Sequence, residues 1–169
     1  MHSPRAFGPW KDGVVIDTEL EIIIAAPPEA VWTLISDPSR LPEWLAFCEK
    51  VDVLDPGTVG MKLRLSDRIR GKLGSETDVE VTAFSPPHEI AWRVEEERVE
   101  GKRVRRFARE TRFQVRLAAR GRDTKVIVRS EQDPRSALHG LLIRAFARRQ
   151  GQRLIARSLQ RLKMLATVR

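Results

Sequence analysis

The sequence predicts an α+β fold in which a seven-stranded antiparallel sheet curves around one long C-terminal helix, with two short helices after the first strand. Three observations predict it. Residues 14–25 alternate: Ile16, Thr18, Leu20, Ile22 and Ile24 share one face, and Asp17, Glu19 and Glu21 the other, the signature of a half-buried strand. A series of strand-like segments separated by Gly and Pro signals follows, as antiparallel hairpins require. The last stretch, Asp133 to Ala166, carries apolar residues at helical spacing. Its 169 residues and 41% apolar content suit a single domain with a full core.

Residues 1–13 hold Pro4, Gly8, Pro9 and Gly13 without periodicity and are expected to form a flexible arm before a domain spanning 14–169. The first strand ends at Pro27-Pro28, because a proline cannot continue a ladder yet suits the first position of a helix. Ala30, Val31, Leu34 and Ile35 then line one side of a short helix, which Asp37-Pro38 stops, and a second short helix follows around Ser39 to Trp44. Six strands are expected next, at Phe47–Leu54, Met61–Ile69, Leu73–Phe84, Glu89–Glu97, Val104–Ala118 and Thr124–Glu131, broken at Asp55-Pro56-Gly57, Gly71, Pro86-Pro87, Gly101 and Gly121. Phe107, Thr111, Phe113, Val115 and Leu117 share a parity, opposite Arg106, Glu110, Arg112, Gln114 and Arg116, so one sheet face is covered and the other wet.

The final helix is expected to start with Asp133 as its cap and Pro134 in its first turn. Its apolar stripe runs through Leu138, Leu141, Leu142, Ala145 and Phe146 and resumes at Ile155, Leu159, Leu162 and Ala166. Between these halves Arg148 and Gln152 occupy the same face, beside Gly151. Either the helix kinks at Gly151, or its middle faces a space that protein does not fill.

Charge is unevenly placed. Residues 1–84 hold 9 Lys/Arg against 14 Asp/Glu, and residues 85–169 hold 22 against 9, leaving the second half strongly basic. An acid-free basic helix admits an anionic membrane surface as a partner. Nucleic acid is the weaker expectation, because the chain has no tyrosine and no run of interleaved basic and aromatic residues. No apolar run approaches ~18 residues and no secretory h-region opens the chain, so a cytoplasmic location is expected.

Two segments carry a resemblance. Ile22-Ile23-Ile24-Ala25-Ala26-Pro27-Pro28-Glu29-Ala30-Val31-Trp32 reads as strand, proline turn and a helix with a Val-Trp pair, and Asp37-Pro38-Ser39-Arg40-Leu41-Pro42-Glu43-Trp44 reads as a second-helix signature. With Glu89-Ile90-Ala91-Trp92 and Asp123-Thr124-Lys125-Val126 as later strands, the chain resembles the START-like helix-grip (SRPBCC) superfamily over roughly residues 14–166. Within it, the likeness is to the polyketide cyclase/dehydrase and lipid-transport family. The resemblance implies an apolar cavity between sheet and long helix with its mouth near the second short helix. Such a cavity suits a hydrophobic small molecule: a lipid, a quinone or a polyketide.

Leu41, Trp44, Phe47 and Trp92 are expected to line that cavity, with Trp32 packing the first helix on the sheet. Thr111, Phe113 and Arg109 share the inward parity of Phe107, Ser130 that of Val126 and Val128, and Asp67 that of Leu63 and Leu65. Phe146 and Gln152 approach from the helix. An unpaired buried Arg109 is costly, so it should meet a carboxylate, solvent or an acidic headgroup, with Asp67 one candidate partner.

Catalytic residues are not identified. His2, His88 and His139 stand apart from any metal-ligand spacing, no phosphate loop or dinucleotide fingerprint occurs, and neither metal nor cofactor is expected. Cys48 reads as a buried hydrophobe rather than a nucleophile. A carrier or sensor for a hydrophobic molecule is therefore the leading expectation. A polyketide cyclase/dehydrase-type enzyme, with Arg109 and Asp67 as carbonyl polariser and proton carrier, is the alternative. An interaction protein using the basic helix comes third.

Overall fold

A computed structural model describes residues 15–69 and 72–167, with the side chains of 69, 72, 73, 146 and 147 left outside that description. The expected arm, residues 1–13, also lies outside the described residues. The chain runs β1 (Ile16–Ile24), α1 (Pro28–Ser36), a 3-10 turn (Pro38–Arg40), α2 (Leu41–Trp44), β2 (Lys50–Asp55), β3 (Lys62–Ile69), β4 (Lys72–Ser85) and β5 (Glu89–Val99). It continues with a two-residue β6 (Lys102–Arg103), β7 (Ala108–Arg120), β8 (Asp123–Pro134), α3 (Ala137–Leu142), a π-turn (Ile143–Ala147) and α4 (Arg148–Thr167). The sheet is antiparallel in the order β1-β8-β7-β5-β4-β3-β2, with β6 on the edge of β5. This is the α+β helix-grip arrangement.

Local chemistry explains the boundaries. Pro28 opens α1, and the Asp37 carboxylate accepts the Ser39 N–H at 2.9 Å to cap the turn that follows. The buried Thr124 hydroxyl donates to Ala26 O at 2.7 Å, tying the β1–α1 corner to β8. One core joins α1 (Val31, Leu34, Ile35), α2 (Leu41, Trp44), the inward face of the sheet and the Ile155, Leu159 and Leu162 stripe of α4. Trp32 meets Phe84 edge-on at 5.2 Å, so it does pack α1 on β4.

The expected single helix from Asp133 is corrected. β8 extends through Pro134, Ser136 is the cap that receives the His139 N–H, and the break falls in the π-turn at 143–147, upstream of Gly151. Leu138 and Leu141 are 65% and 64% exposed, so these two members of the expected stripe do not join the core. A ladder partner on β7 down to Ala108 keeps residues 133–134 extended, and that pairing overrides the local Asp-Pro start signal. The Val104–Phe107 stretch is likewise a connection rather than the start of β7.

The wet face holds an ion network. Asp78 accepts from Arg64 Nε at 2.7 Å and Nη2 at 2.9 Å and from Arg98 Nη1 at 3.2 Å, while Glu96 pairs with Arg98 and Arg103. The Arg64 hydrogen bonds, then that of Arg98, hold the Asp78 carboxyl below its ordinary range against the opposing effect of burial. A lowered folded-state value means stability that is present above the unfolded carboxylate range and is lost as pH falls through the folded one. Asp78→Asn is expected to cost about 1.5–3 kcal/mol at pH 7, with the difference shrinking below about pH 4. Urea midpoints across pH check it; a pH-independent difference would contradict this assignment. No helix among the described residues is long and apolar enough to cross a membrane.

Candidate functional site

Between the sheet and α4 lies a cavity with two adjacent parts. The inner chamber, ≈ 80 Å³, is walled by Leu41, Trp44 and Leu45 of the α2 region, by Leu65, Val79, Trp92, Val115 and Val128 of the sheet, and by Ile155 and Leu159 of α4. The wider mouth, ≈ 760 Å³, shares Phe47, Thr77, Phe113 and Ile155 with the chamber, so the two lie side by side. The mouth is mixed: apolar side chains such as Val94, Val104 and Phe107 are joined by Thr18, Thr111, Ser130 and Gln132, by Thr77 and Glu97, and by Arg148 and Gln152 beside Gly151 on α4. The polar interruption of the long helix therefore has a physical cause. That stretch faces open space.

Two polar groups of the chamber wall, Trp44 Nε1 and the Ser158 hydroxyl, are already engaged. Trp44 Nε1 donates to Leu34 O at 3.1 Å, leaving the ring against the core. Ser158 donates to Leu154 O at 2.8 Å and accepts from Ala46 N at 2.9 Å, pinning the segment after α2 to α4. Both bonds fix the wall without offering a group to the interior.

The mouth exists because two strands part. β5 pairs with β7 only from Glu89 to Arg93, and beyond that point the strands diverge. Carbonyls on the freed part of β5 need other donors. Arg106 supplies them, Nη1 to Val94 O at 2.8 Å and Nη2 to Glu95 O at 3.2 Å, so the connection from β6 to β7 is stitched across the gap. Arg135 holds the same connection from the far side, donating from Nε to Arg106 O at 2.9 Å and from its amide to Phe107 O at 3.0 Å.

Two β-bulges decide which charges face the mouth. The first displaces Arg109 at the start of β7, where Ala108 pairs with Pro134 and Glu110 with Asp133. The extra residue breaks the alternation: Ala108 is buried, Arg109 is exposed, and its Nη2 donates to Arg135 O at 3.3 Å. The inward Arg109 expected from parity is thus corrected. The Asp67–Arg109 pair does not form among the described residues; Asp67 is half-buried, its Oδ1 accepts the Arg68 N–H at 2.8 Å, and neither residue lines the cavity.

The second bulge lies in β5, where Glu96 pairs with Asp78 but Val94 pairs with Val79, leaving Glu95 over. Trp92 and Val94 point inward; past the bulge the parity reverses, so Glu97 joins Thr77 on the mouth side and Glu96 joins the outer ion network. Glu97 has no side-chain hydrogen bond among the described residues. Burial pushes its carboxyl above the usual range, only partly offset by attraction from Arg106. Three consecutive glutamates in a strand must place at least one inward, but alternation from Trp92 points to Glu96. Only the bulge selects Glu97.

Of the other expected residues, Leu41, Trp44, Phe47, Trp92 and Phe113 line the chamber, and Thr111, Ser130 and Gln152 line the mouth. Phe146 falls in the π-turn, with its side chain outside the described residues. Cys48 is 3% exposed, donates to Lys50 O at 3.3 Å, and is pushed up to about 11, chiefly by burial. Iodoacetamide at pH 8 should alkylate the native thiol at least about 100-fold more slowly than a free cysteine peptide. Labelling at the peptide's rate would show an accessible thiolate instead.

The comparisons agree with this architecture. A search of curated protein sequences finds no significant match. Among solved structures, the Zhui aromatase/cyclase from Streptomyces superposes with a TM-score of 0.69 at 16% identity, covering 90% of this chain and 94% of that one. A START superfamily protein from Mycobacterium smegmatis gives 0.65 at 16% identity, covering 88% and 98%. The di-domain ARO/CYC StfQ of the steffimycin biosynthetic pathway gives 0.71 at 12% identity, covering 90% of this chain and 50% of that one. At such identities these likenesses speak for the fold alone. The family model described as polyketide cyclase / dehydrase and lipid transport matches residues 15–167, and with its helix-grip sheet and the cavity beneath α4 the chain belongs to that family.

Proposed function

We propose that the protein binds a hydrophobic small molecule, of lipid, quinone or polyketide type, in the chamber beneath α4 and presents the molecule's polar end at the mouth. The observation that carries this reading is that an almost wholly apolar chamber adjoins a wider mouth that adds hydroxyl, amide and charged groups, the two sharing Phe47, Thr77, Phe113 and Ile155. A wall of aromatic and branched side chains rewards apolar surface whatever its detailed shape, while the hydroxyls and amides at the mouth orient one end. A carrier or sensor role is the first reading; cyclase- or dehydrase-type catalysis, which requires a general acid or base in the cavity, is the alternative, with Glu97 its candidate group.

Native mass spectrometry of the purified protein, followed by organic extraction, tests the proposal. A stoichiometric apolar adduct released on unfolding is the expected result. A bare mass that stays unchanged on challenge with lipids, quinones and polyketides would overturn it and shift attention to the basic face of α4. A bound molecule released in altered form would instead establish the enzymatic alternative.

A further inference from the structure

We propose that Glu97, turned into the mouth by the bulge at Glu95, is the recognition group for a hydroxyl on an otherwise apolar ligand. The inference rests on the binding reading above and adds the polarity of the ligand's head. A carboxylate in a sheet normally ends on the wet face or in an ion pair; in this chain Asp78, Glu80, Glu95, Glu96 and Glu110 all pair with arginines. Glu97 is placed otherwise. It is half-buried, it lines the mouth, and it makes no ion pair or side-chain hydrogen bond among the described residues.

The cations around it do not explain its placement. Arg98 also lines the mouth, but its guanidinium is engaged by Asp78 and Glu96. Arg106 attracts Glu97 but directs its N–H groups to Val94 O and Glu95 O. Arg105 and Arg148 are exposed at the mouth. A half-buried acceptor left open in this way favours a ligand that brings a donor. Thr77, directly opposite Glu97 in the β4–β5 register and shared by both parts of the cavity, adds a hydroxyl where head and body would meet. The favoured class is therefore a ring system or chain carrying an alcohol or phenol.

An isosteric pair of probes isolates the effect: 1-naphthylmethanol, which carries the hydroxyl, and 1-ethylnaphthalene, which replaces it with a methyl. Binding of each is measured by fluorescence or calorimetry at pH 8 for the wild type, Glu97→Leu and Glu97→Gln, with thermal melts confirming that each variant folds. The ratio of the two affinities should shift toward the hydrocarbon by at least about tenfold in Glu97→Leu, and Glu97→Gln, which keeps an acceptor, should fall between. Wild type and Glu97→Leu giving the same ratio, with both probes bound, would overturn the role of Glu97 and leave the cavity reading standing. Failure of the wild type to bind either probe at millimolar concentration would overturn the cavity reading itself.

Discussion

Val128→Phe is expected to remove ligand binding while leaving the protein folded. Val128 lies on β8 in the inner chamber, opposite Val115 in the β7–β8 register, so a phenyl ring there projects into the space that the ligand body needs. Losing cover over roughly 100 Å² of apolar ligand surface, at ~25 cal/mol per Å², weakens binding by about 70-fold. Overpacking strain should lower stability by about 1–3 kcal/mol, well within the reserve of a domain of this size. Titration with 1-ethylnaphthalene alongside a urea melt separates the two effects. Wild-type affinity in a folded Val128→Phe protein would mean that ligands sit elsewhere; Val115→Phe provides an independent second obstruction of the same chamber.

Trp44→Ala should produce the largest loss of stability. The ring is 2% exposed, belongs to the main core and also forms part of the chamber wall. Removing it forfeits its packing, enlarges the void and leaves Leu34 O without the indole donor. About 3–5 kcal/mol is expected, a large share of the total stability of a single domain. Trp44→Phe keeps most of the apolar contact and loses only the hydrogen bond, so about 1–3 kcal/mol is expected for it. A Trp44→Ala midpoint within error of the wild type would show that the ring is held for the ligand and contributes nothing to the core.

The two substitutions test different uses of one wall. Val128 matters for what it leaves empty, and Trp44 for what it fills. A helix-grip cavity needs both, since the sheet must be braced by α1 and α2 before an unfilled space beneath α4 can persist. The Ser158 bonds serve the same end, tying residues 45–47 to the helix that roofs the chamber.

Much of the fold is legible in local signals. Strict alternation in β1, the Pro27-Pro28 boundary, the Asp37-Pro38 stop and the Ile155, Leu159 and Leu162 stripe are local signals, written in residue type and spacing, and each is found in place. The same holds for Leu41, Trp44, Phe47, Trp92 and Phe113, because large apolar residues on inward positions must face either core or cavity. The polar break at Arg148 and Gln152 was legible for the same reason.

Which charge stands at the mouth and where the last helix begins depend instead on long-range strand pairing. Alternation is a period-2 rule, and a single bulge residue reverses it for everything beyond. Bulges at Arg109 and Glu95 carry no composition signal, since they arise where paired strands of different curvature fall out of step. They turn Arg109 out and Glu97 in. Pairing with β7 likewise holds Asp133 and Pro134 in β8, although as a dipeptide they read as a helix start. Strand pairing is a long-range interaction, and where it competes with a local preference of a few tenths of a kcal/mol per residue, the ladder wins.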